Sequence, residues 1–197
     1  AAETALKIAL AVKGEARPIQ REALFTASEI LSRMEGNERR VIEIIEQFFI
    51  MSRKPQGIDV TWSRAYEMLA DAYAHSNQPE RAISAYLASL QYNPYHPWEV
   101  SIFTRIAKAY YQHGDFDRTI QAAQRGLEVA RSENQTIDFQ LYDLIGSAQY
   151  ALGQFEQAIA SFDEALRLNP AVDTTVSKIK QYRAYAISHV ARDPVLG

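Results

Sequence analysis

Two carboxylates, Glu67 and Asp71, stand four residues apart in a stretch with helical periodicity. Side chains at this spacing lie one turn apart on the same face of a helix. A pair placed in this way can share a proton or act as general acid and general base. Neighbouring charges on a helix are more often solvated, so we interpret these two as exposed, solvated charges.

The other residue types that carry chemistry are sparse. The four histidines, none of which stands in a His-x-x-x-His pair, are His75, His96, His113 and His189. The chain has no cysteine, which excludes thiolate nucleophiles, disulfides and cysteine-ligated metals. Gly114 and Gly153 stand alone and form no phosphate-binding loop. The sequence therefore predicts no catalytic residues, no metal and no cofactor, and hence a protein that is not an enzyme.

Composition narrows the class of partner. The 197 residues are 47% apolar and 23% charged, with a net charge of −3. A nucleic-acid-binding protein usually carries a basic excess to neutralise phosphates, so we expect no nucleic-acid partner. No apolar run reaches the roughly 20 residues of a membrane span. We expect a cytoplasmic protein, although a chain that begins at Ala1 rather than Met can be processed or part of a longer protein.

The elements that would position any site are helices. Apolar residues recur every three or four positions over residues 18–34, which predicts an amphipathic helix that begins near Pro18. A second helix with a wide apolar stripe covers Val41 to Phe49 and ends before Pro55. Residues 1–13 predict a further short helix. Whether residues 18–55 form a degenerate repeat or an unrelated hairpin is left open by the sequence.

One pattern recurs three times from residue 58 onward at constant offsets. The first copy has Tyr66, Leu69, Ala70, Tyr73, Ala82, Tyr86 and Pro94. The second has Phe103, Ile106, Ala107, Tyr110, Thr119 and Ala123. The third has Tyr142, Ile145, Gly146, Gln149, Ala158, Phe162, Ala165 and Pro170. This pattern resembles the tetratricopeptide repeat (TPR), in which large, small and proline residues recur at fixed positions of a helix pair.

The resemblance implies an all-α solenoid of stacked antiparallel helix hairpins that forms a right-handed superhelix. It implies three domains or segments: N-terminal helices over 1–57, three repeats over 58–172 (63–96, 100–133 and 139–172), and a C-terminal capping helix over 173–197. The second copy departs from the family at Thr119, Ala123 and Gly126. We therefore expect its second helix to pack less tightly than the others.

In such arrays the first helix of each repeat lines the concave side, where side chains not needed for packing face a groove. The repeat register places these candidate partner-binding residues in the groove: Arg64, Glu67, Asp71, His75, Thr104, Arg105, Lys108, Tyr111, Gln112, Gln140, Asp143, Ser147 and Tyr150. Tyr111 and Tyr150 would add aromatic contact area of the kind enriched at binding hot spots. From a groove lined by these residues we expect the partner to be a protein or a peptide.

Family members that bind chaperone C-termini hold two carboxylates with lysine, asparagine and arginine side chains. The corresponding positions here are Glu67, Asp71, Arg105, Gln140 and Leu144. The first two have the wrong sign for an acidic peptide. The resemblance therefore implies a protein-binding adaptor or scaffold with a partner of mixed charge. The alternatives are a ligand-sensing regulatory domain or an accessory domain of a larger enzyme or signalling protein, and the N-terminal helices could also join two copies of the chain.

Overall fold

The computed structural model describes residues 3, 4, 7, 17–94, 99–168 and 174–191. Over these residues the regular structure is entirely helical, as predicted for an all-α protein. The helices of the described ranges are α1 (Arg17–Ser32), α2 (Glu38–Met51), α3 (Val60–His75), α4 (Pro79–Tyr92), α5 (Glu99–His113), α6 (Phe116–Ser132), α7 (Phe139–Ala151), α8 (Phe155–Leu168) and α9 (Thr174–Val190). Of the helix predicted over residues 1–13, only residues 3, 4 and 7 are among those described. The predicted helix stop at Pro170 also lies outside the described residues.

The chain divides into two units, residues 1–96 and 97–197. In the first unit, α1 packs against α2 and α3, α2 packs against α3, and α3 forms a hairpin with α4. The predicted helices over 18–34 and 41–49 are confirmed, and their buried residues include Leu24, Leu31, Val41 and Phe48. Met34, at the end of the predicted apolar stripe, is exposed because α1 ends at Ser32.

An aromatic cluster joins the hairpins of the first unit. The ring of Tyr66 on α3 lies 4.5 Å from Phe49 on α2 and stacks on Tyr92 of α4 at 5.6 Å. Trp62 is buried between the same two neighbours, at 4.7 Å from Phe49 and 5.3 Å from Tyr92. Tyr66 and Trp62 therefore fill the space between successive helix pairs, as the repeat pattern predicts for large residues at these positions.

In the second unit, α5 and α6 form one hairpin, α7 and α8 form the next, and α9 packs against α8 and α7. The core of the last hairpin contains Ala158, Phe162 and Ala165 of α8, together with Ile179 of α9. The C-terminal helix therefore covers an apolar side that the last hairpin would otherwise leave open. These stacked hairpins belong to the α-solenoid class.

The helix pairs of the three repeats share one turn geometry. A residue with positive φ occupies each turn: Asn77 (55°), Gly114 (83°) and Gly153 (76°). The next residue donates its N–H to the carbonyl five positions earlier: Gln78 to Tyr73 (2.9 Å), Asp115 to Tyr110 (3.0 Å) and Gln154 to Gln149 (2.9 Å). This is the hydrogen bond that closes a helix with a left-handed residue. Since the three acceptors are residues aligned from sequence, the register of the repeats is confirmed.

Small residues bring the paired helices together. Ala70, Ala82, Ala107 and Ala158 are fully buried, as expected from the pattern. Packing in the second copy differs from the expectation, because a β-carbon on Gly126 of α6 would lie only 3.1 Å from Phe103 and 3.0 Å from Leu141. The second helix of this copy therefore packs closely against its neighbours, and the predicted looser packing is wrong.

Candidate functional site

The candidate residues of the first unit lie on α3, whose start is fixed by Asp59. The Asp59 carboxylate accepts a hydrogen bond from the Trp62 N–H at 3.0 Å, which caps the helix. Along α3, Arg64 and Asp71 are half-buried and His75 is exposed, whereas Glu67 is only 3% exposed. The prediction that Glu67 is a solvated charge is therefore wrong.

Glu67 and Asp71 have different partners. Arg64 donates to the Glu67 carboxylate at 2.9 Å, one turn away on the same helix. The Tyr86 hydroxyl donates to Asp71 Oδ1 at 2.5 Å, which links α3 to α4. Each carboxylate thus has a neighbour that stabilises its charge and fixes its orientation. This arrangement favours a structural role for the two residues over the acid–base pair considered from the sequence.

In the second unit the candidate residues of α5 differ in exposure. Thr104 is buried, and its hydroxyl donates to the Val100 carbonyl at 3.0 Å. Its side chain is therefore engaged by its own helix instead of facing solvent. Arg105 and Tyr111 are half-buried, and Lys108 and Gln112 are exposed. Of these residues, Lys108 presents the most accessible charge of α5.

The candidate residues of α7 meet Tyr111 of α5. Ser147 Oγ donates to Asp143 Oδ1 at 3.5 Å. Burial raises the pKa of Asp143 to about 6, against the opposing effects of the Ser147 hydrogen bond and the positive charge of Lys178. Burial also raises the pKa of Tyr111, as do the charges of Tyr182 and Asp143. Three predicted groove residues, Tyr111, Asp143 and Ser147, are thus brought together, while Gln140 is exposed at the start of α7.

Helix α9 contributes residues that the repeat register did not predict. Tyr150 of α7 lies 5.8 Å from the ring of Tyr182 and 6.1 Å from the ring of His189. Lys178 acts electrostatically on Asp143 from the same helix. Residues 178, 182 and 189 are spaced so that they lie on one face of the helix. This spacing is the sequence feature from which their shared contact surface could have been predicted. We use the term second-unit face for Tyr111, Asp143, Ser147 and Tyr150 together with Lys178 and Tyr182.

The predicted aromatic residues are less exposed than expected. Tyr111 and Tyr150 are half-buried. Tyr111 packs on Phe116 at 5.6 Å, and Tyr150 packs on Phe155 at 5.5 Å. Each tyrosine therefore packs against the first residue of the second helix of its own hairpin. Only part of each tyrosine side chain is left accessible to a partner.

Among the residues that the structure describes, two further features bear on function: the clustering of metal-ligating side chains and the ability of the helices to span a membrane. No group of three or more His, Cys, Asp or Glu side chains lies in a metal-binding arrangement within these ranges. In the same ranges, no helix is both long enough and apolar enough to cross a membrane.

The stacked hairpins and their repeated turns define an α-helical repeat protein. Residues 63–96 and residues 139–172 each match a family model for the tetratricopeptide repeat. The chain therefore contains tetratricopeptide repeats at these two places. Repeats of this family form protein–protein interaction modules, and this is the general role of the chain. None of the curated proteins compared with the chain matches it.

Solved structures with the same architecture are distant in sequence. One is the first TPR domain of Spaghetti (RPAP3) bound to the HSP90 peptide SRMEEVD, at 19% identity and a TM-score of 0.55, covering 68% of this chain and 99% of that domain. MamA has 20% identity and a TM-score of 0.66, covering 86% and 85%. BtubC from P. vanneervenii has 16% identity and a TM-score of 0.69, covering 96% and 80%. At these identities the similarity shows the fold alone.

Proposed function

We propose that the chain is a non-enzymatic adaptor or scaffold module that binds a peptide or partner protein on the second-unit face. The observation that carries this proposal is the meeting of Tyr111 on α5 with Asp143 and Ser147 on α7, next to Tyr182 of α9, whose ring also contacts Tyr150. These residues combine partly exposed aromatic rings with polar groups that can pair with a peptide. Such a mixture is typical of surfaces that bind proteins.

The charges of this region favour a partner of mixed sign. Lys108 is exposed on α5, and Lys178 is exposed on α9, from where its positive charge acts on the carboxylate of Asp143. A ligand with both acidic and basic side chains can satisfy both kinds of group. A uniformly acidic ligand would meet Asp143, and a uniformly basic one would meet the lysines.

The Spaghetti (RPAP3) domain in complex with SRMEEVD shows that a module of this fold can hold a short peptide. This supports peptide binding as the type of activity for the present chain. It does not support the same ligand, because three positions of the family's carboxylate-binding set are occupied here by Glu67, Gln140 and Leu144.

A display experiment can test the proposal before the natural partner is identified. A random-peptide library would be selected on the immobilised full chain, and the affinity of one selected peptide would be measured by fluorescence anisotropy. The test variant is Lys108→Glu/Lys178→Glu, which reverses two exposed charges, one a helical turn from Tyr111 on α5 and one on α9 within the second-unit face. We expect this variant to bind the peptide at least about tenfold more weakly, since each charge pair at an interface contributes on the order of 1 kcal/mol.

A matched control is Lys180→Glu/Arg125→Glu, in which two exposed cations on α9 and α6 are reversed. It has the same net charge as the test variant and should retain the wild-type affinity. Thermal unfolding of both variants would establish that they are folded. Equal affinity of the wild type and the test variant, or equal losses in both variants, would remove the second-unit face as the binding site.

A further inference from the structure

A cavity of about 420 Å³ lies within the first unit, beside α3. It is formed where α1 ends, α2 begins and the C-terminal half of α3 passes both. This volume lies within the range of about 300–1,000 Å³ found for small-molecule sites.

The floor of the cavity is apolar. Leu31 of α1, Val41 of α2, and Met68 and Ala72 of α3 line it, and each is at most 4% exposed. Because these side chains belong to the helix core, their positions are fixed by packing on three helices. A ligand with an aliphatic portion would therefore exchange water for apolar contacts without requiring the site to reorganise.

The rim of the cavity carries a negative excess. The cavity is lined by three carboxylates, Glu35, Glu38 and Asp71, and by one guanidinium, Arg33, and these groups sum to a formal charge of −2 when His75 is counted as neutral. Hydrogen bonds from the backbone N–H groups of Glu38 and Gly36 lower the pKa of Glu38, and His75 also acts to lower it. The Gly36 N–H donates to Glu38 Oε1 at 3.2 Å, so this carboxylate is held at the rim.

We infer that this cavity is a binding site for an aliphatic cation, an ammonium or guanidinium group carried on a short methylene chain. The apolar floor accommodates the methylene groups, and the acidic rim contacts the charged end, as in the packing of lysine and arginine side chains on protein surfaces. An anion of the same length would meet the net charge of −2. The site lies in the first unit and is independent of the proposed second-unit face.

This chemistry has two sources, a basic side chain of a partner protein or a free aliphatic amine or guanidine. The probes are n-butylguanidine and a blocked tripeptide with a central arginine, Ac-Gly-Arg-Gly-NH2. The neutral comparison is n-butylurea, which has nearly the same shape without the charge. Binding to the full chain would be followed by amide chemical-shift changes in two-dimensional NMR, which detects weak association and locates it.

We expect n-butylguanidine to shift amides around Leu31, Glu38 and Ala72 in a saturable manner, and n-butylurea to bind at least about fivefold more weakly. Added salt should weaken binding of the cation. If the tripeptide binds as well as n-butylguanidine, the site takes a side chain of a partner. If only n-butylguanidine binds, the site takes a free small molecule. Either result supports a cation site.

The test variant is Glu35→Gln/Glu38→Gln, which removes two rim charges without changing the size of the side chains. We expect it to reduce the affinity for n-butylguanidine by about fivefold or more. Glu43→Gln on α2 is the control, because Glu43 is exposed and lies outside the cavity. Ala72→Leu fills the floor and should abolish binding if the variant remains folded. Absence of saturable shifts with either cation, or equal affinity for n-butylurea, would overturn the inference.

Discussion

Gly146 and Phe162 lie in such close contact that a β-carbon on Gly146 would be 2.7 Å from two atoms of the Phe162 ring. Phe162 is fully buried in the core of the α7–α8 hairpin, so the ring has little room to move. Gly146 therefore allows the two helices to approach, and the position is restricted by space rather than by backbone conformation.

This contact predicts that Gly146→Ala destabilises the protein. Alanine is favoured over glycine in a helix by about 1 kcal/mol, but overpacking of a core typically costs about 1–3 kcal/mol. Since the steric cost falls on a rigid buried ring, we expect a net loss, measured as a lower midpoint of urea unfolding. Gly57→Ala is the control, because nothing lies within 4 Å of its added β-carbon. A gain in stability for Gly146→Ala would mean that α7 and α8 lie further apart.

Two ion pairs of identical spacing should differ in their contribution to stability. Arg64–Glu67 and Arg125–Glu128 are both i,i+3 pairs at 2.9 Å, but Glu67 has a side chain that is 4% exposed and Glu128 one that is 62% exposed. Arg64→Ala removes a partner from a buried carboxylate, which we expect to cost about 1–3 kcal/mol. Arg125→Ala should cost no more than about 0.5 kcal/mol.

Chemical unfolding of both arginine variants at low salt would measure this difference. Because the same substitution is made on two helices, changes in helix propensity largely cancel in the comparison. Similar losses in the two variants would show that burial of Glu67 does not depend on Arg64.

The buried carboxyl of Asp143 predicts a pH dependence of stability. Burial raises the pKa of the Asp143 carboxyl from 3.8 to about 6 in the folded state. At a pH between these two values the folded state therefore keeps a proton that the unfolded state has lost. The stability associated with this proton is present below the unfolded pKa and is lost as the pH rises through the folded pKa. The shift corresponds to at most about 3 kcal/mol.

We therefore expect Asp143→Asn to be more stable than the wild type at pH 7.5 and to lose this advantage as the pH falls toward 4. The measurement is the difference between the two unfolding free energies across pH 4–8. Lys178→Gln provides a check, because removing the positive charge should move the wild-type transition to higher pH. A difference that stays constant with pH would contradict the burial of this carboxyl.

The peptide SRMEEVD should not bind this chain as it binds the Spaghetti (RPAP3) domain. The positions that correspond to the family's carboxylate-binding residues include Glu67, Asp71 and Leu144, none of which is basic. Asp71 already accepts a hydrogen bond from Tyr86, and Leu144 is half-buried. Like charges would repel the acidic peptide. Fluorescence anisotropy with the labelled peptide, and with that domain as positive control, would test this; saturation of both proteins at similar concentrations would contradict it.

The fold was predictable because the residues that determine it are local and periodic. Ala82 and Ala158 recur at a constant distance from the turns, and the positive-φ residues Gly114 and Gly153 end the first helices. Gly126 was misinterpreted for a physical reason. Its close approach to Phe103 and Leu141 depends on side chains of other helices, and the family pattern does not include them.

The candidate site was predictable only in part. The structure places Tyr111, Asp143 and Ser147 near one another, and their role in binding stays a prediction. It did not predict that Glu67 is buried, because a carboxylate held by Arg64 has the same sequence spacing as a solvated one. The approach of Lys178 and Tyr182 was also missed. These contacts depend on how α9 packs against α7, and helical periodicity alone gives no information on that packing.

The packing of Ile179 against Phe162 and Ala165 also has a consequence for protein engineering. The second family match ends at residue 172, before α9 begins. A fragment trimmed at that boundary would leave the apolar back of α8 in water and should self-associate at concentrations where the intact chain does not. A fragment designed to contain this last hairpin as a separate domain must therefore extend through Val190, the end of α9.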